Sequence, residues 1–79
     1  MKTQIFSDAI TNRNQIKFLY GLNEVVLEPY YITRDRTGKK VIYGRVTNSC
    51  EVKKFEYSFI ANIRVYQNKH FSPRISIIS

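Results

Sequence analysis

Tryptophan is absent, and cysteine and histidine occur once each in a chain of 79 residues. A single thiol, Cys50, excludes an intramolecular disulfide and a cysteine-based zinc site. It suits a reducing compartment, and its setting, Asn48-Ser49-Cys50-Glu51, reads as a polar turn. With His70 the only imidazole, a nucleophile–base pair reduces to Cys50 with His70, and a surface imidazole is the simpler reading. Glycine is sparse as well. Gly21, Gly38 and Gly44 stand alone, so no glycine loop is available to cradle phosphate. The six acids, Asp8, Glu24, Glu28, Asp35, Glu51 and Glu56, are scattered, and no pair has spacing suited to acid–base or metal chemistry. Glu28, beside Pro29, reads as an acceptor for backbone N–H groups or a partner for arginine. These shortages point away from an enzyme, and no metal or cofactor is expected.

Long hydrophobic runs are lacking too. Met1-Lys2-Thr3-Gln4-Ile5-Phe6 has no uninterrupted apolar stretch of the kind a signal peptide carries, and no segment approaches membrane-spanning length. A cytoplasmic protein with no membrane partner is the expectation. What is abundant is positive charge: thirteen Lys and Arg against six Asp and Glu give a net charge of +7. Such an excess creates a field that attracts polyanions, nucleic acid first among them. Apolar residues at 43%, of which Tyr and Phe supply the aromatics, suffice for a compact core and argue against disorder. A domain this small buries only about 60% of its unfolded surface, so a homodimer would relieve a limited core.

The hydrophobic period changes once along the chain. Over residues 3–13 the apolar positions Ile5, Phe6, Ala9 and Ile10 recur at helical spacing, with Thr3 as cap and Arg13 placed near the negative end of the macrodipole. From Gln15 the period is two: Ile16, Phe18 and Tyr20 mark a strand with one strongly buried face. Gly21-Leu22-Asn23 turns the chain, and Glu24 to Leu27 returns. Pro29 has no N–H to give a ladder and belongs at an edge, bend or bulge. Tyr30 and Tyr31 then split, one inward and one outward. Arg34 to Lys39 forms a hairpin tip with Gly38 at positive φ. Lys40 to Thr47 makes the next strand, with Gly44 at a bulge or a point of close backbone approach. Val52 to Ser58 returns, residues 58–62 make one tight helical turn, and Ile63 and Val65 mark a last strand. His70-Phe71-Ser72-Pro73 closes the domain. The pattern predicts a mainly β, α+β fold: a small SH3-like or Sm-like five-stranded barrel with an N-terminal helix. One domain spans 1–73, and 74–79 is an apolar, alternating tail that adds an edge strand or docks on a partner.

The order of residues resembles the WYL domain of bacterial transcriptional regulators. The resemblance rests on Ala9-Ile10, on Ile16-Lys17-Phe18-Leu19-Tyr20, on Glu28-Pro29-Tyr30 and on Gly38. Val41-Ile42-Tyr43-Gly44, Lys53-Lys54-Phe55-Glu56-Tyr57-Ser58-Phe59-Ile60 and Phe71 continue it, so that residues from about 5 to 72 are covered. The naming Trp-Tyr-Leu is replaced near Lys40-Val41-Ile42, and Phe59 stands where the family usually has Arg before Ile. Family members usually join a DNA-binding helix-turn-helix to a barrel that senses nucleic-acid or nucleotide ligands in transcription regulation. With no room here for that partner, the resemblance implies a freestanding, diverged member.

Binding is therefore the expected function, through a basic face with interleaved tyrosines. Lys39, Lys40, Arg45, Lys53, Lys54 and Arg64 lie on or beside three consecutive strands, Arg34 and Arg36 at the neighbouring tip. Tyr43 shares parity with Arg45 and Tyr57 with Lys53, which suits stacking of bases between phosphate-contacting cations. The competing reading places Tyr43, Phe55 and Tyr57 in the core, with the lysines a solvated exterior. The alternative function is a protein-interaction or assembly module that recruits another chain through a barrel edge or the tail.

Overall fold

The computed structural model describes residues 2–47 and 49–70, with side chains described as far as Gln67. It contains one helix and one five-stranded antiparallel sheet, a mainly β, α+β arrangement. Helix α1 (Lys2–Asn12) turns Phe6 and Ala9 into the core and lies against the first, second and last strands. Arg13 follows in the left-handed region, φ 57°, its N–H donating to the Ile10 carbonyl. It thus terminates the helix by backbone geometry instead of sitting within its last turn.

Strand β1 (Asn14–Tyr20) buries Asn14, Ile16 and Phe18, the alternation that its period of two requires. Strand β2 (Asn23–Arg34) runs through Pro29 without a break. Its register against β3 (Lys40–Val46) slips between Pro29 and Tyr31, so the ladder is irregular where proline lacks a donor. The slip also separates the adjacent tyrosines as expected: Tyr30 is buried and Tyr31 is 46% exposed. Across the ladder Gly44 faces Pro29. A Cβ there would fall 2.8 Å from Leu27 Cγ and closer still to the Glu28 carbonyl oxygen, so only glycine lets the strands approach.

Strand β4 (Val52–Glu56) ends two residues earlier than the sequence pattern suggests. The helical turn is a 3-10 turn at Tyr57–Phe59, not at 58–62, and β5 (Ile60–His70) starts directly after it. Tyr57 leaves the strand to set its ring edge-on against Phe6, centroids 5.2 Å apart. Asn62, expected in the turn, instead sits in β5 at φ 54°.

The strand order is β4-β3-β2-β1-β5, with β4 and β5 at the two edges. The sheet curls strongly. Although β2 and β3 separate β1 from β4, Phe18 and Tyr20 meet Phe55 edge-on at 5.3 and 4.9 Å. The Glu56 N–H donates to Tyr20 Oη at 3.1 Å, and the Gly21 N–H donates to the Phe59 carbonyl. Phe6, Ala9, Ile16, Phe18, Leu27, Ile42, Phe55 and Ile60 fill the concave side as one cluster. The tail at 74–79, the closing residues 71–73 and the side chain of His70 lie outside the described residues.

Candidate anion-binding face

The β2–β3 hairpin is the best-defined exposed feature. Its tip is organised by one carboxylate: Asp35 Oδ1 accepts from the Thr37 N–H at 2.9 Å, Thr37 Oγ1 at 2.7 Å and the Lys39 N–H at 3.0 Å. Gly38 supplies φ 84°, and Arg34 Nη1 donates to its carbonyl at 2.8 Å. The Thr37 hydroxyl, then the Lys39 N–H, hold the Asp35 carboxyl below the ordinary aspartate range, and the nearby charge of Lys54 contributes in the same direction. Lys54 of β4 therefore stands within electrostatic reach of the tip.

On the convex side of the hairpin, Tyr31 and Tyr43 are cross-strand partners and Tyr43 is in register with Lys54. The two rings stack face to face, centroids 4.8 Å apart and planes 13° from parallel. The result is a short row, Tyr31–Tyr43–Lys54, with Arg36 and Lys39 exposed at the tip of the same hairpin. Such a row offers a flat π surface with cations beside it. Chemically it can stack a planar ring and pair with its phosphate.

The other candidate residues scatter. Arg34 and Lys40 face each other across the hairpin, on the parity of Ile32 and Ile42, and Lys40 Nζ reaches Thr3 Oγ1 of the helix at 3.3 Å. Arg45 is committed to structure. Its Nε and Nη2 donate to Glu28 Oε1 at 3.1 and 2.8 Å, and Nη1 donates to the Ser49 carbonyl. The Glu28 hydrogen bonds hold its guanidinium protonated more firmly than usual. Of the two partners expected for Glu28, backbone N–H groups or an arginine, the arginine is the one seen, and the carboxylate also accepts from Gln15 Nε2 at 3.3 Å. Lys53 pairs in register with Gly44 and points to the side opposite Lys54, 3.9 Å from Glu51. Arg64 lies on β5 opposite Lys17, away from β3 and β4 in the sheet order.

Tyr57 packs on the helix. Burial pushes its phenol above the ordinary range, with the Thr3 hydroxyl opposing in part. Its partly buried ring packs against the core, the side of the choice weighed against stacking, because the 3-10 turn ends the parity it would share with Lys53. Tyr31, the outward member of its pair, completes the ring surface instead. Cys50 is an exposed thiol just before β4.

No helix is long and apolar enough to cross a membrane among the described residues. Comparison of the chain with protein-family models, with curated proteins and with solved structures finds no match.

Proposed function

We propose that this chain is a non-enzymatic, WYL-like domain that binds nucleic acid or a nucleotide-type anion through the convex face of the β2–β3 hairpin. The observation that carries the reading is the stacked, solvent-facing Tyr31–Tyr43 pair beside Lys54, with Arg36 and Lys39 at the adjoining tip. Base–aromatic stacking contributes about 1–3 kcal/mol per base, and phosphate contacts add an electrostatic term. The net charge of +7 brings polyanions toward the molecule from any direction. Supporting a WYL-type, SH3-like or Sm-like barrel are the strong curl of the sheet, the 3-10 turn joining its two edge strands, and the helix over its concave core. In that reading the domain serves a regulatory, cytoplasmic role.

Fluorescence anisotropy of a labelled single-stranded oligonucleotide tests the proposal. Binding is expected at low salt and weakens as salt rises. Tyr31→Ala is expected to weaken it roughly fivefold to a hundredfold, the equivalent of one lost stacking contact. An oligonucleotide that fails to bind at low salt defeats the proposal.

The assembly alternative has one favourable observation: β4 is an edge strand with Val52 exposed. Lys53 and Lys54 on that edge weigh against it, since lysines on an edge discourage pairing with another chain. Sedimentation of the full chain against one truncated after Pro73 separates the two readings.

A further inference from the structure

The opposite margin of the sheet carries a second charged feature. Lys17 on β1 and Arg64 on β5 are direct cross-strand partners. Like charges placed opposite each other in an antiparallel pair oppose its formation, so the pairing needs a compensating anion. Lys17 Nζ has one, Glu24 Oε2 at 3.4 Å, and the Tyr66 hydroxyl also supports its charge. Arg64 is exposed, with no carboxylate within ion-pair distance among the described residues.

Just beyond this pair the ladder is interrupted. Lys17 pairs with Arg64 and Leu19 with Ala61, so Asn62 and Ile63 together oppose Phe18 alone. Asn62 takes the left-handed conformation that such a two-against-one bulge permits. A bulge of this kind leaves a residue outside the ladder and re-aims its side chain. Lys17, Arg64, Asn62, Tyr66 and Glu24 all line one open groove of 730 Å³, walled on its apolar side by Leu19 and Ile63. Two cations against one acid leave the lining with a net charge of +1.

We infer that this groove is an anion site for a phosphomonoester, separate from the hairpin face. The phosphate sits between Lys17 and Arg64, its oxygens accepting from the ammonium and the guanidinium, with the Asn62 amide as a further donor. The small organic group attached to it lies along Leu19 and Ile63. Glu24, 63% exposed, competes with the phosphate for Lys17 and is displaced when the anion enters. A dianion then completes the charge balance that the cross-strand pair lacks.

The test is NMR of the full chain, following the backbone amides of Lys17, Asn62 and Arg64 during titration with inorganic phosphate and with phenyl phosphate. Sodium chloride at matched ionic strength is the control. Saturable shifts at these residues are expected, with dissociation constants of about 1 mM, tighter for phenyl phosphate. Arg64→Gln should weaken binding about tenfold, as the loss of a charge-assisted hydrogen bond does. It should leave the ligand-free protein at least as stable, because it removes the like-charge pair. Glu24→Gln should tighten binding by removing the competitor. Equal shifts with chloride, shifts gathered at Arg36, Lys39 and Lys54 instead, or unchanged affinity in Arg64→Gln overturn the site. Each of these outcomes leaves the hairpin reading standing, and shifts at Arg36, Lys39 and Lys54 would favour it, so the two readings fail separately.

Discussion

Glu28 and Arg45 face each other across β2 and β3, the carboxylate almost out of water and the guanidinium largely covered. Removing one partner of such a pair leaves the other without its countercharge in a poorly solvated place. Arg45→Met should therefore destabilise the fold by about 1–3 kcal/mol, read from urea midpoints. The double variant with Glu28→Gln should cost less than the sum of the singles, since the orphaned charge is gone. Next to this pair, Gly44→Ala pushes a methyl into Leu27 and the Glu28 carbonyl. A loss of about 1–3 kcal/mol is expected, the usual consequence of overpacking. Tyr57 offers a pH readout. Burial raises its phenol, so the neutral form is favoured on folding. Its contribution is full below the unfolded phenol pKa and is lost as pH rises through the higher folded value. Ultraviolet difference spectra should show one tyrosine ionising above the ordinary phenol range.

Among the elements, the helix end and the hairpin tip are where local geometry decides stability. Arg13 occupies a left-handed position that favours glycine, so Arg13→Gly should raise stability by up to about 1 kcal/mol, the relieved strain exceeding the unfolded chain's extra freedom. The thermal midpoint reports it. The hairpin tip depends on the ionised form of Asp35. Its folded pKa is depressed, so the stabilisation is present above the ordinary aspartate range and is lost as pH falls through the folded value. Asp35→Asn should loosen the turn and speed hydrogen exchange at the Lys39 amide, whose bond to Oδ1 is weakened. Because the tip also holds Arg36 and Lys39 beside the tyrosine row, the same variant should reduce oligonucleotide affinity even though it removes a negative charge.

For the whole molecule the governing quantity is how the described cations are distributed over a curled sheet. Arg45 is neutralised, Lys17 and Lys53 are partly so, and Arg64 belongs to a different margin. Arg36, Lys39 and Lys54 remain around the hairpin tip and its neighbouring strand, whereas Arg34 shares the parity of the buried Ile42 and donates to the Gly38 carbonyl. Three phosphate contacts to a single strand predict a slope of about −2 for log affinity against log salt. Lys54→Gln should reduce that slope by roughly one. A slope near −6 or steeper would show that the hairpin alone does not account for binding. Core variants act on a different readout: Phe18→Ala removes a ring that meets both Tyr20 and Phe55 and should cost about 3–5 kcal/mol, with the salt slope unchanged.

The sequence by itself determined the elements. Helical spacing of Ile5, Phe6, Ala9 and Ile10, alternation at Ile16, Phe18 and Tyr20, and the polar tip around Gly38 are local signals, and local backbone preferences act on neighbours along the chain. That Tyr30 and Tyr31 split to opposite sides, and that Gly44 marks a bulge or a close approach, was legible for the same reason, because proline and glycine dictate where a ladder must adjust. Which tyrosine faces out, and whether Glu28 takes backbone donors or an arginine, was not. Tertiary structure alone decided which cations share a face. That Arg45 spends its charge on Glu28, that Tyr57 abandons β4 for Phe6, and that Lys17 meets Arg64 all depend on register between strands distant in sequence. A one-residue slip in such a register moves a side chain to the other side of the sheet, and the slip at Asn62, unlike that at Pro29, emerges only when the strands pair.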